Sequence, residues 1–231
     1  MPNPISTVAI DGPAGSGKST VGAALAAQLG FLYFDTGVMY RAVALAALRL
    51  TISHEDGEAL AALAHRLHIE VLPPTIDDGR QYTILLDGED VTWVLRAKDV
   101  EALVSAVARH AAVREEMVRQ QQRIAAPGHI IMVGRDIGTV VLPNADAKIY
   151  LIASAEERAR RRHAELIAKG DTIDYERVLA DVRERDARDS SRAVSPLRPA
   201  DDALIFDCTG MSVQETITRV LALIREVVDA G

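Results

Sequence analysis

Residues 6–20 read STVAIDGPAGSGKST, and no other stretch of the 231 residues constrains the fold as strongly. Gly12, Pro13, Ala14, Gly15, Ser16, Gly17, Lys18 and Ser19 satisfy the pattern G-x-x-x-x-G-K-[ST]. The apolar run Thr7–Ile10 enters the turn as a buried strand. A helix leaves it from Lys18, because Val21, Leu25 and Leu29 recur at helical spacing. Strand, turn and helix in that order form the setting in which this pattern cradles phosphate. Gly12, Gly15 and Gly17 let the backbone curl with its N–H groups inward, and the helix start adds the positive end of its dipole. Lys18 can reach the terminal phosphates, and the Ser19 hydroxyl can ligate Mg²⁺. The stretch predicts a nucleoside triphosphate site over Gly12–Thr20 and leaves the acceptor of the phosphate open.

Five apolar segments read as core strands: Thr7–Asp11, Phe31–Asp35, His129–Gly134, Lys148–Ile152 and Ala203–Asp207. Helical patterns fill most of the gaps, which predicts an α/β fold with a parallel sheet covered on both faces. Helices are expected over Gly37–Leu50 and Glu55–Leu67, and one long helix over Lys98–Ile124. Between them, His68–Thr92 alternates apolar and polar residues around Pro73-Pro74, Asp78-Gly79 and Asp87-Gly88, the pattern of a small antiparallel sheet. Residues 53–96 therefore read as an insert carried by the core. A second excursion, 155–192, is helical and rich in arginine.

The kind of triphosphate enzyme follows from what accompanies the loop. The chain has no N-K-x-D guanine motif and no D-x-x-G after the third strand. Transport and motor ATPases end an apolar strand in an acid that serves magnesium and water. Here the strand HIIMV runs into Gly134-Arg135-Asp136, and an arginine at that place suits a second anion. A kinase for an alcohol needs a carboxylate base, whereas an acceptor that is already a phosphate needs its repulsion neutralised, which arginines do. The six histidines show no pairing pattern and read as surface or structural residues. In FDTGVMYRA, Arg41 could reach a monophosphate with Tyr40 packed on a base or sugar; a capped helix at Thr36 with a surface Arg41 fits that stretch equally well. In RERDARDSSR, Arg185, Asp189 and Arg192 are spaced to share one helix face. A solvated, ion-paired helix is the plain alternative there, weakened by Pro196 and Pro199 close behind.

Composition narrows the partners. A net charge of −7 argues against a general nucleic-acid surface, and arginine clusters on an acidic chain suit a small phosphorylated substrate. No apolar run is long enough to span a bilayer, and nothing resembles a signal peptide, so a cytoplasmic enzyme is expected. The single cysteine, Cys208, rules out an internal disulfide and reads as a small buried residue near a strand end.

Taken together, IDGPAGSGKST, DTGVMYRAVALAAL, GEDVT, GRDIGTVVLPNADAKIYLIAS and RDSSRAVSPLRPADDALIFD resemble the bacterial cytidylate kinases over nearly the whole chain. GRDIGTVV together with DTGVMYR is specific to that family. The resemblance implies ATP-dependent phosphorylation of CMP and dCMP, with Mg²⁺ carried by the nucleotide. It implies a three-layer P-loop nucleoside monophosphate kinase fold: a five-stranded parallel core, a helical lid, and an enlarged monophosphate-binding domain with a small antiparallel sheet. On this chain the core would be 1–36, 128–154 and 193–231. The CMP-binding domain would be 37–127, including the insert 53–96, and the lid with its following helix 155–192. Arg41, Arg135 and Arg192 would hold the CMP phosphate. Ser105, Arg114 and Asp136 would read the cytosine edge. Arg185 and Asp189 would hold the sugar, Tyr40 would flank the base, and Thr36 stands where many relatives carry serine. Arg158, Arg161 and Arg162 would reach the transferring phosphate, with Arg160 crowded among them. Other readings are a kinase for UMP or AMP, or more remotely a nucleotide-binding regulator without turnover. A monomer is expected, because both excursions must move freely.

Overall fold

The computed structural model describes residues 5–192 and 194–230; residues 1–4, 193 and 231, which the expected core range includes, lie outside the described residues. In chain order the elements are β1 (Thr7–Asp11), α1 (Lys18–Leu29), β2 (Leu32–Asp35), α2 (Gly37–Arg49) and α3 (Gly57–Arg66). There follow β3 (Ile69–Leu72), β4 (Thr83–Leu86), β5 (Glu89–Asp90), a 3₁₀ turn (Val94–Arg96), α4 (Lys98–Val107) and α5 (Ala111–Ala125). The chain closes with β6 (Ile130–Val133), a π-type turn (Ile137–Val141), β7 (Ala147–Ile152), α6 (Ala155–Ala168), α7 (Tyr175–Ser190), β8 (Leu204–Asp207) and α8 (Val213–Ala230). The larger sheet has the order β2-β6-β1-β7-β8 and the smaller the order β3-β4-β5. All five expected core strands form, each within a residue or so of its predicted bounds. The chain divides into two compact units, Met1–Leu29 with Ile131–Gly231, and Gly30–Ile130.

In the first unit β1 pairs in parallel with β7, Val8 opposite Ala147 through Asp11 opposite Tyr150, and β7 pairs in parallel with β8. Every residue of β6 is buried, as are all but the first of β1, which is why these segments read as unbroken apolar runs. α1 packs against α8, whose Ile217, Val220 and Ile224 line one buried stripe. α6 and α7 pack around Ala159, Val178 and Leu179, with Leu166, Ile173 and Tyr175 closing the cluster.

In the second unit α2 is buried at nearly every position from Val38 to Ala47, so it is the central helix, with α3 and α4 against it. The small sheet is antiparallel, as its alternation predicted. It is tied by Arg80, which donates to Asp78, Asp90 and Thr83. One expectation fails: periodicity predicts a single helix over Lys98–Ile124, but the chain makes α4 and α5 with an elbow at 108–110. His110 takes an extended backbone at φ −76° and ψ 120°, and its Nε2 lies 2.8 Å from the His54 carbonyl oxygen. Gly57 passes so close that a Cβ there would sit 2.6 Å from His110 Nδ1. The break comes from this long-range contact, which apolar spacing along the helix does not register.

Candidate active site

The phosphate loop lies between β1 and α1. At Gly12 φ is +145°, and a Cβ would stand 2.0 Å from the Leu151 carbonyl oxygen on β7, so only glycine fits. Lys18 is buried; its Nζ donates to the Pro13 carbonyl at 2.6 Å and to Ser16 Oγ at 3.4 Å. Ser19 and Thr20, on the first turn of α1, are exposed. Cys208 is buried as expected and lies against the loop, its Sγ 3.3 Å from the Ser16 carbonyl oxygen.

Four arginines of α6 separate into two pairs. Arg158 is buried, and Arg161 reaches the Cys208 carbonyl with Nη2. A Cβ on Gly15 would touch Arg158 at 3.4 Å, and one on Gly17 would lie 3.6 Å from Arg161 Nη1. Arg160 and Arg162 point away into exposed pairs with Glu157 and Glu165. Arg162, expected with the transferring phosphate, is thus not brought to the loop. Helical phase sets Arg160 apart but not Arg162, which at four residues from Arg158 lies as near that face as Arg161 does at three; what distinguishes Arg162 is its pair with Glu165.

At the end of β6 the chain turns through Gly134, Arg135 and Asp136 into the π-type turn. Asp136 is buried, and the two residues after it donate their N–H groups to Asp11, Ile137 to Oδ1 at 2.9 Å and Gly138 to Oδ2 at 2.7 Å. Burial pushes the Asp11 carboxyl up to about 6; the two N–H bonds and Lys18 pull it down, and Asp136 adds to the rise.

Asp189, near the end of α7, holds two of the expected phosphate arginines. Arg135 Nε donates to its Oδ2 at 3.0 Å, and Arg192 Nη2 donates to its Oδ1. Burial would raise the Asp189 carboxyl, but the Arg135 and Arg192 charges outweigh it and hold the group below its ordinary value. Arg185, one turn earlier, is exposed, and its charge also acts on Asp189. α7 ends at Ser190, so Arg192 meets Asp189 from just beyond the helix.

The remaining expected residues belong to the unit 30–130. The guanidinium of Arg114 on α5 lies 5.5 Å from the centroid of the Tyr40 ring on α2, and both residues are buried. Arg41 Nη2 is 3.8 Å from Glu101 on α4, and Ser105 is exposed one turn further along α4. Thr36 is buried and makes no side-chain cap; Gly37 N–H donates instead to Asp35 Oδ1 at 3.0 Å. Sequence reasoning singled out neither Asp11 nor Asp186, the partner of Arg158. An acid closing an otherwise apolar strand was the available signal for Asp11. Asp186 is hidden in the run Arg183–Asp189, where six of seven residues are charged.

The family model described as cytidylate kinase matches residues 8–226. The chain is 56% identical to a cytidylate kinase of Chloroflexus aggregans over 93% of this chain and 92% of the relative. It is 46% identical to a cytidylate kinase of Bacillus subtilis over 95% of this chain and 96% of the relative. Among solved structures, an uncharacterized protein from Eubacterium ventriosum aligns at a TM-score of 0.53 and 12% identity, covering 96% of this chain and 99% of that one. A gluconokinase from Sinorhizobium meliloti aligns at 0.50 and 14%, covering 97% and 94%. These two likenesses concern the fold alone.

Proposed function

The chain belongs to the cytidylate kinase family, and on that premise we propose that it transfers the γ-phosphoryl group of ATP to CMP and dCMP, giving ADP with CDP or dCDP. One observation carries the reading beyond the family name: the buried Asp189 holds Arg135 and Arg192 together beside the Asp136 turn. Two guanidiniums kept side by side at a strand end suit an acceptor that is itself a phosphate.

The donor would lie in the loop Gly12–Thr20, with Lys18 leaving the Pro13 carbonyl for the β- and γ-phosphates. Among the described residues no group of three or more His, Cys, Asp or Glu could hold a metal. That suits an ion arriving with the nucleotide, where the exposed Ser19 hydroxyl would be its protein ligand and the ion would neutralise charge on the β- and γ-phosphates. Arg158 and Arg161 flank the loop and would take up charge on the transferring group. Arg41, Arg135 and Arg192 would neutralise the acceptor phosphate. Asp136 would accept from the cytosine amine, with Arg114 and Ser105 on the same edge and Tyr40 against the ring. Uracil presents a carbonyl where cytosine has the amine, and buried polar groups left facing the wrong partner discriminate by up to roughly 10⁴-fold. Arg185 and Asp189 would hold the sugar. Because both of its arginine bonds use carboxylate oxygens, Asp189 would serve the sugar and the arginines together.

No helix among the described residues is long and apolar enough to cross a membrane. We extend the reading to a monomer working in the cytoplasm, which mass measurement at assay concentration tests. The activity is tested by ADP release with CMP, dCMP, UMP, AMP and GMP as acceptors. CMP and dCMP should stand far above the rest. Preference for UMP or AMP would make the chain another monophosphate kinase, and release with none would leave a nucleotide-binding regulator.

A further inference from the structure

Asp11 closes β1, where it is 4% exposed. A buried carboxylate is costly, and an apolar residue of similar size would complete the strand more cheaply. Its use is visible in its bonds. Both oxygens are engaged, one by the Ile137 N–H and one by the Gly138 N–H, the first two backbone donors after Asp136. The same residue is followed directly by Gly12, where the phosphate loop begins. We infer that Asp11 is a positioning residue for the phosphoryl acceptor: its two hydrogen bonds fix the turn that carries Arg135 and Asp136 against the strand that carries the phosphate loop. This rests on the reading of the chain as a CMP kinase.

The turn is gripped from a second side as well. A Cβ on Gly138 would lie 3.2 Å from Lys148 Cδ and 3.4 Å from Asp11 Oδ2. Lys148 cannot easily withdraw, since its Nζ donates to the Pro143 carbonyl and to both oxygens of Asp202. Small errors in such a support are transmitted to the groups it holds, because reacting groups must be placed to within about half an ångström.

The test is Asp11→Asn, assayed with CMP, UMP and ATP varied in turn and accompanied by a thermal melt. Asparagine keeps the size but has one acceptor oxygen, so in either orientation an N–H₂ meets a backbone N–H. KM for CMP should rise roughly tenfold or more, the scale of a lost hydrogen bond to a charged group. The preference for CMP over UMP should narrow, while KM for ATP stays within about twofold. Equal rises for ATP and CMP, or no change in either, would overturn the inference. If the variant does not fold, Gly138→Ala presses on the same turn from the other side and should give the same acceptor-selective loss; unchanged CMP kinetics there would overturn it equally. Failure of the underlying reading shows differently, as an unmodified protein that releases no ADP with CMP, and would remove the inference with it.

Discussion

Arg158 grips Asp186 with both terminal nitrogens, Nη1 to Oδ1 at 2.9 Å and Nη2 to Oδ2 at 2.6 Å. The same guanidinium donates through Nε to the Ala153 carbonyl at 2.9 Å and through Nη1 to the Ala14 carbonyl at 3.2 Å. One side chain thus joins α6, α7 and the phosphate loop in a geometry that leaves it little freedom to swing. Arg158→Ala should lower kcat by about 10²-fold or more, as loss of a preorganised charge does. Arg162→Ala, which breaks only an exposed pair with Glu165, should change it less than about threefold. Steady-state kinetics on the two variants side by side decides the ranking; equal losses would refute it.

The donor assignment predicts that Lys18→Ala loses most turnover and keeps CMP affinity near that of the unmodified chain. Calorimetric CMP titration alongside the kinetic assay checks both halves. Near-normal kcat would mean that the triphosphate is held elsewhere.

Arg41, Arg135 and Arg192, each replaced by Met, should weaken CMP binding by roughly 1.5–3 kcal/mol, the range for a hydrogen bond to a charged group. Cytidine lacks the phosphate and should bind feebly and alike to variant and unmodified protein. Equal losses for CMP and cytidine would assign the arginine a structural duty instead. Arg135 and Arg192 share Asp189, so their double replacement should cost less than the sum of the single ones.

Base choice is carried by Asp136. In Asp136→Asn the amide can offer N–H₂ toward a uracil carbonyl and loses an acceptor for the cytosine amine. kcat/KM for CMP should fall steeply and the bias against UMP should shrink. If the ratio of the two substrates stays unchanged, Asp136 only shapes the site.

Asp11 makes a prediction about pH. Its carboxyl ordinarily titrates at 3.8 and in the folded protein at about 6. Between those values the fold holds a proton that the unfolded chain has released. Its contribution therefore favours the fold near pH 4 and is lost as the pH rises to about 6. Asparagine does not titrate. The stability of Asp11→Asn relative to the unmodified protein should accordingly improve between about pH 4.5 and 7, by about 2 kcal/mol. Melting both proteins across that range gives the difference directly, and a flat difference would contradict the burial of the charge.

The residues that announced themselves in the sequence did so through local geometry. The loop Gly12–Ser19, the strand ends at Arg135-Asp136 and the helix start at Tyr40-Arg41 depend on neighbours close in the chain, and they were legible. The elbow at His110 depends on His54, 56 residues away, and spacing on α4 and α5 gave no hint of it. Helical phase separates Arg160 from Arg158 and Arg161 but not Arg162 from them; Arg162 turns to Glu165, and which face meets the loop is decided by the packing of α6. Asp189 was expected at a sugar; its bond to Arg192 is local, three residues on, but its bond to Arg135 appears only once α7 is set beside the end of β6.

Gly12 carries a consequence for how triphosphate affinity is obtained. The loop backbone there runs directly against the Leu151 carbonyl, with no side chain between them. An anion seated among the inward N–H groups pushes on a surface that has no space behind it. The loop cannot recoil, so little interaction energy is lost to rearranging it, and the cradle is preorganised rather than moulded by its guest. Any replacement at this position would force the loop off its backing strand and turn a rigid seat into one that must be rebuilt at every turnover.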